Sequence, residues 1–208
     1  MESAETTRPG KDERRDAIVA IAKQIFLEQG YAGTSMSEIA ARVGGSKATL
    51  YNYFKSKEEL FIAMVEKKCG DISAMLNAAE MESGGDLRAT LTNFGDHFVA
   101  YLLTDESVGF HQLSIGECAR VPEIGQTIYR SGLMQTQDRI AALLEHARQE
   151  GRLRADADVR VAAEQFTELC LAGLHRRRLW NVTPCPSQDE IRTNVANAVD
   201  TFMRAYGV

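Results

Sequence analysis

Apolar residues recur along this chain at three- and four-residue intervals. Ile18, Ile21, Ala22, Ile25 and Phe26 fall at i, i+3, i+4, i+7 and i+8, the stripe of one helix face. The spacing predicts a helix over Lys11 to Gln29, stopped by Gly30. Ser35 and Glu38 stand at capping-box separation, and Ile39, Ala40 and Val43 give the helix they open a short apolar face. Gly44-Gly45 breaks that helix. Ser46 caps a second one, Lys47 to Phe54, with Leu50 and Phe54 on one side at i, i+4. Small Ala40, turn-forming Gly44 and inward Leu50 are what two helices crossing through a three- or four-residue turn require. Ser56 and Glu59 repeat the capping-box spacing and begin a helix running to about Ala79. Leu60, Met64, Ile72, Met75 and Leu76 supply its apolar positions, and Gly70 weakens or bends it.

Beyond the Ser83-Gly84-Gly85-Asp86 break, Leu87, Leu91, Phe94, Phe98 and Tyr101 mark a helix ending near Thr104. Another spans Glu106 to Arg120. Pro122 suits a helix start, and the next helix runs to about Gln149, closed by Gly151. Asp158 to Trp180 and Ser187 to Tyr206 read as the last two helices, parted by Pro184-Cys185-Pro186. The first interleaves small Ala162, Ala163, Cys170 and Gly173 with Phe166, Leu169 and Leu174. The second carries the stripe Ile191, Val195, Ala198, Val199, Phe202 and Tyr206, which needs a partner surface. The fold class expected is all-α. A polar arm at 1–10, with no reason to be ordered, precedes a three-helix helix-turn-helix head at 11–57 and a larger helical body at 58–208.

Composition sharpens this picture little. The 44% hydrophobic content over 208 residues suffices for a buried core. The net charge of −5 argues against indiscriminate nucleic-acid binding. Residues 1–57 nonetheless hold 9 Lys and Arg against 7 Asp and Glu, a balance of +2, so a slightly basic head sits on an acidic body. Cys69, Cys118, Cys170 and Cys185 show no metal spacing, and neither do His97, His111, His146 and His175. No apolar run is long enough to cross a membrane and no secretory pattern opens the chain. Reduced thiols, a cytoplasmic location, and neither cofactor nor metal are therefore expected. No local nucleophile, base and orienting group form a catalytic motif.

The string from Ser46 to Leu60, with its core Leu50-Tyr51-x-Tyr53-Phe54-x-x-Lys57-Glu58-x-Leu60, closely resembles the signature of the tetracycline-repressor (TetR) family of bacterial regulators. The link Gly30-Tyr31-Ala32-Gly33-Thr34-Ser35 resembles that family's passage from its first to its second helix. Glu117-Cys118-Ala119-Arg120-Val121-Pro122-Glu123-Ile124 is similar to a segment of the AefR-like subgroup. The resemblance implies a homodimeric repressor that binds a roughly palindromic double-stranded operator and is released by a small apolar or aromatic effector. Multidrug-efflux control is the commonest role in the family. Whether the chain represses or activates stays open.

Position in the motif makes Thr34, Tyr53 and Lys57 phosphate contacts, with Ser35 and the cap Ser46 beside them. Lys47, Thr49 and Tyr51 become candidates for base-edge or methyl contact, and Asn52 stands where relatives carry an aromatic residue or His. Gly45 replaces a commoner larger residue in the turn. For the effector pocket the candidates are Phe94, His97, Phe98, Tyr101, Phe110, Gln112, Met134 and Gln165. The resemblance places the last two helices in a four-helix dimer interface through Phe166, Cys170, Gly173, Val195, Val199 and Phe202. Arg176-Arg177-Arg178 reads as a solvated face near a helix C-terminus. The competing class is a helical small-molecule carrier or enzyme that retains a helix-turn-helix scaffold.

Overall fold

The computed structural model describes residues 10–208. Most of the expected arm therefore lies outside the described residues. The rest is helical: α1 (Lys11–Gly33), α2 (Met36–Val43), α3 (Lys47–Tyr51), α4 (Lys57–Glu82), α5 (Leu87–Leu102), α6 (Asp105–Cys118), α7 (Pro122–Thr127), a π-helical stretch (Ile128–Met134), α8 (Gln135–Gln149), α9 (Val159–Leu171), α10 (Leu174–Leu179) and α11 (Gln188–Tyr206).

The caps read from sequence form. Ser35 Oγ accepts from the Glu38 amide, Ser46 Oγ from Thr49 and Ser56 Oγ from Glu59, at 3.2, 3.0 and 3.2 Å. Each satisfies an amide that the first helical turn leaves without a partner. Gly44 ends α2 at φ 73°, a left-handed conformation that an L side chain resists, and its amide returns to α2. The turn between α2 and α3 is closed by this geometry.

Two apolar clusters organise the molecule. In the head, Ile18, Ala22, Ile25 and Phe26 of α1 meet Ile39, Leu50 and Phe54, together with Leu60, Phe61 and Met64 of α4. That cluster does not stop at residue 57. It continues through α4 to Phe110 on α6 and Ile124 on α7. In the body, α5, α8, α9 and α11 bury Leu91, Phe94, Ile140, Phe166, Val195 and Phe202 together. Each such side chain contributes roughly 1.5–3 kcal/mol through burial.

Four helix boundaries differ from expectation. α1 kinks at Gly30 but continues to Gly33. α3 ends at Tyr51, and Phe54 lies beyond it in the head core. The stretch from Pro122 to Gln149 is interrupted by π-helix, where a periodic apolar pattern gave no sign of the extra residue per turn. The run from Asp158 to Trp180 is broken at Ala172–Gly173. Gly173 sits at φ 78°, so the small residue expected to let helices approach is instead the hinge between α9 and α10.

Candidate functional site

The exposed surface of the head is built on α3. Lys47 is exposed at its first position and takes part in no ion pair among the described residues. Thr49 and Asn52 are also exposed, and Tyr51 is 42% accessible. Ser46 Oγ lies 2.8 Å from Thr49 Oγ1 as well as capping its amide, so the two hydroxyls are matched to each other. Tyr53 is half-buried against the head core. Lys47, Thr49, Tyr51 and Asn52 thus form one contiguous outward surface around a short, capped helix.

Thr34 and Lys57 do not join that surface. Thr34 is 3% exposed, and its hydroxyl donates to the Gly30 carbonyl at 2.8 Å. The Lys57 ammonium donates to the carbonyls of Tyr31 and Thr34 at 2.7 and 3.0 Å and sits 4.2 Å from the centre of the Tyr31 ring. Both residues lock the α1–α2 link to the start of α4. The adjacent Glu58 carboxylate accepts from Tyr31 Oη at 2.8 Å. Hydrogen bonds from its own backbone and from that phenol hold its pKa below the usual carboxylate value, while burial and Glu58 push the phenol upward.

An aromatic column leaves this joint. Phe26 stands edge-on to Phe61 at 5.3 Å, and Phe61 stacks on Phe110 at 6.2 Å. Phe110 lines a cavity of about 550 Å³ in the body, within the range of small-molecule sites. Lys68, Cys69 and Ile72 of α4 line it too. The helix that begins beside α3 therefore forms part of the cavity wall.

Of the eight expected pocket residues, the cavity uses Phe98 and Phe110. Phe94 is sealed in the body core against Phe98 and Phe166. Tyr101 donates to Asp71 at 3.0 Å beside a separate cleft of about 70 Å³. His97 and Met134 are exposed. Gln112 and Gln165 are exposed as well, bonded to the Leu179 carbonyl and to Tyr206 Oη at 2.7 and 2.6 Å. For Phe94 the reason is that helix periodicity shows a face to be inward without showing whether it meets core or void, whereas His97, Gln112, Met134 and Gln165 lie off the inward faces altogether.

The polar lining was not legible. Lys68 is buried and donates to Ser107 Oγ at 2.8 Å, with the Tyr101 ring 4.3 Å away. Burial lowers its pKa. His111 and His175, 64 positions apart, come together with Nδ1 and Nε2 separated by 3.4 Å. Burial, then His175 and Lys68, lower the His111 pKa to about 4, and burial lowers that of His175. Gly132 brings the π-helical stretch against α4, where a Cβ would lie 2.9 Å from Cys69 Sγ. That thiol is pushed up to about 11 by burial, which makes it a poor nucleophile at neutral pH. No cluster of three or more His, Cys, Asp or Glu has metal-binding geometry among the described residues.

The arginine run is a solvated face only in part: Arg176 and Arg177 are exposed and Arg178 is not. Arg178 is 7% exposed and donates to the Leu103 carbonyl at 3.3 Å and to Asp105 at 2.5 Å, tying α10 to the α5–α6 corner. Arg176 lines the cavity. Phe166, Cys170, Val195, Val199 and Phe202, expected at a dimer interface, are consumed by the body core of a single chain. Among the residues that α9, α10 and the following turn leave outward are Val161, Gln165, Glu168, Trp180 (72% exposed) and Val182.

Residues 18–64 match the model of the bacterial regulatory proteins, tetR family, and residues 89–208 that of the AefR-like transcriptional repressor, C-terminal domain. The chain is 29% identical over 167 residues to the HTH-type transcriptional regulator AcrR of Shigella flexneri, spanning 77% of this chain and 76% of that protein. Its structure is similar to that of the flavonoid-responsive regulator FrrA, with TM-score 0.79 and 30% identity over 94% of this chain and 98% of FrrA. A TetR-family regulator of Mesorhizobium loti superposes at TM-score 0.86, covering 97% of this chain and all of that one. At 23% identity that second likeness is one of fold.

Proposed function

This chain belongs to the TetR family of bacterial transcriptional regulators, and from that membership we propose that it is a ligand-responsive, homodimeric repressor working in the cytoplasm. The observation that carries the reading is the double role of α4. Its N-terminal turns pack in the core behind the recognition helix, and Lys68, Cys69 and Ile72 on the same helix line the cavity. An effector that displaces α4 in the cavity displaces the head with it. Such control needs an effector that favours one of two arrangements, not mere binding.

In this reading, α3 enters the major groove with Lys47, Thr49, Tyr51 and Asn52 facing the bases and Tyr53 at the backbone. Lys47 donates to guanine acceptors and the Thr49 methyl meets a thymine methyl. Ser35 and Ser46 serve as helix caps, and Thr34 and Lys57 hold the frame from behind. Two copies pair across the outer faces of α9 and α11 with the exposed Trp180 region, so that two heads address half-sites about one helical turn apart. The effector is apolar or aromatic, since the cavity wall includes Ile72, Phe98, Leu102, Phe110, Leu171 and Leu179. FrrA, described as flavonoid-responsive, supports an aromatic class.

The test is a gel shift with DNA from upstream of the chain's own gene and its neighbours, at about 0.1 M salt because phosphate contacts make affinity strongly salt-dependent. Saturable binding that a scrambled duplex does not compete supports the reading. Equal binding to specific and scrambled DNA would favour the carrier or enzyme class.

A further inference from the structure

The break at Gly173 sorts three consecutive arginines into three environments. Arg178 is buried and paired with Asp105. Arg177 turns back on the break itself, its Nε donating to the Gly173 carbonyl at 2.9 Å. Arg176 has neither kind of partner among the described residues, and it is the one of the three that lines the cavity. A guanidinium carries five N–H groups and accepts nothing. Arg176 therefore brings uncommitted donors to this space.

Its place in the cavity follows from which lining residues are exposed. Lys68, Ile72, Phe98, Leu102, Phe110 and Thr136 line it and are buried, so they form the inner wall. Leu133, Glu168, Ala172, Gly173 and Arg176 line the same space and are exposed. The mouth thus lies between the π-helical stretch and the α9–α10 break, with Arg176 on its rim.

Charge decides what this mouth admits. Glu168 is the one carboxylate of the lining, and it forms no ion pair with Arg176 or Lys68. Lys68 puts a second cation in the wall, its ammonium on Ser107 Oγ and over the Tyr101 and Phe110 rings. Thr136 is 5% exposed, and its hydroxyl, without a hydrogen-bond partner among the described residues, opens on the cavity. A hydroxyl both donates and accepts, as does a neutral imidazole, so Thr136, His111 and His175 do not select for charge. Two cations against one anion do. A ligand ammonium at Glu168 would enter a lining in which cations outnumber anions. A carboxylate on Arg176 gains two parallel charge-assisted hydrogen bonds. At the rim it also keeps part of its hydration, which a carboxylate against the inner wall would lose.

We propose that the effector is an aromatic carboxylic acid bound as its anion, with the ring system among Ile72, Phe98, Leu102 and Phe110 and the carboxylate on Arg176 at the mouth. This rests on the cavity being the effector site. It adds a charge requirement that apolar burial alone does not impose, and it gives Arg176 a role in choosing the ligand.

The test is calorimetric titration of the full chain with three ligands of similar shape and different charge: 2-naphthoate, 2-naphthamide and 2-naphthylmethylammonium. Each is measured at about 0.05 M and about 0.5 M salt. The expected result at the lower salt is that 2-naphthoate binds about tenfold tighter than the amide. That ratio should shrink at the higher salt, because charges at the rim are screened. In Arg176→Gln the ratio falls toward unity, and in Glu168→Gln it rises. Both side chains are exposed, so neither change opens a gap in the core. Equal affinity for the acid and the amide, tighter binding of the ammonium ligand, or an acid preference that survives Arg176→Gln would overturn the proposal while leaving the cavity reading intact. Binding of none of the three would overturn both.

Discussion

The ring of Phe61, sealed in the core behind the recognition helix, stacks on the ring of Phe110 at the cavity wall, with centroids 6.2 Å apart and planes 11° apart. Head and body are joined by a packed aromatic contact as well as by the continuous backbone of α4. Because interiors are close-packed, a shift of Phe110 is passed to Phe61 instead of being absorbed. A double-mutant cycle with Phe61→Leu and Phe110→Leu, read by urea unfolding, is expected to give a coupling energy of about 0.5–1.5 kcal/mol. Additive losses would show that the two rings touch without holding the units together.

Lys47 and Lys57 are ten residues apart and should respond in opposite ways. Lys47→Ala removes an exposed cation and is expected to weaken operator binding by about 1–3 kcal/mol, with the unfolding midpoint unchanged. Tyr53→Phe should likewise weaken binding without unfolding the chain. Lys57→Ala removes an ammonium from two carbonyls and a ring face. It is expected to lower stability by roughly 1–3 kcal/mol while leaving the salt dependence of operator affinity nearly unchanged. A salt slope lower by about one in Lys57→Ala would return that residue to the phosphate contacts.

Gly95 on α5 lies where α11 crosses it, and a Cβ there would stand 2.7 Å from Val195 Cγ1. Gly95→Ala should therefore destabilise the body by about 1–3 kcal/mol through overpacking. Adding Val195→Ala makes room, so the double variant should be more stable than the sum of the single losses. Strict additivity in thermal or urea unfolding would mean the crossing relaxes elsewhere.

His111 gives a pH signature. Its pKa is about 4 in the folded chain and near 6.5 when unfolded, so between those values the unfolded state binds the extra proton. Stability is expected to fall as pH drops from 6.5 toward 4, by up to roughly 3 kcal/mol from this group. Above pH 6.5 its contribution is flat. Comparing wild type with His111→Asn across that window isolates the component. Parallel curves would show that His111 protonates freely in the folded state.

Much of the fold and of the outward recognition surface could be read from local chemistry. Ser35, Ser46 and Ser56 announce their helices because a cap is a contact within three or four residues, and Gly44 announces a turn for the same reason. Leu50 and Phe54 reveal the inward side of the recognition segment, which leaves Lys47, Thr49 and Tyr51 outward by subtraction. The cavity depends on contacts that no local pattern encodes. His111 meets His175 only because the break at Gly173 turns α10 back toward the α5–α6 corner, where Arg178 is anchored. Phe94 and Phe98 are one helical turn apart and equally apolar, yet one faces core and the other void. The same limit explains the dimer residues. A stripe such as Val195, Val199 and Phe202 asks for a partner surface, and its own chain supplies it.

The most direct test of a two-headed DNA reader is selection of bound duplexes from a randomised library with the full-length protein at about 0.1 M salt. The expected product is an inverted repeat whose half-sites are centred about one helical turn apart, enriched by wild type and lost with Lys47→Ala. Recovery of no sequence above the starting pool, or of a consensus without two-fold symmetry, would contradict the account.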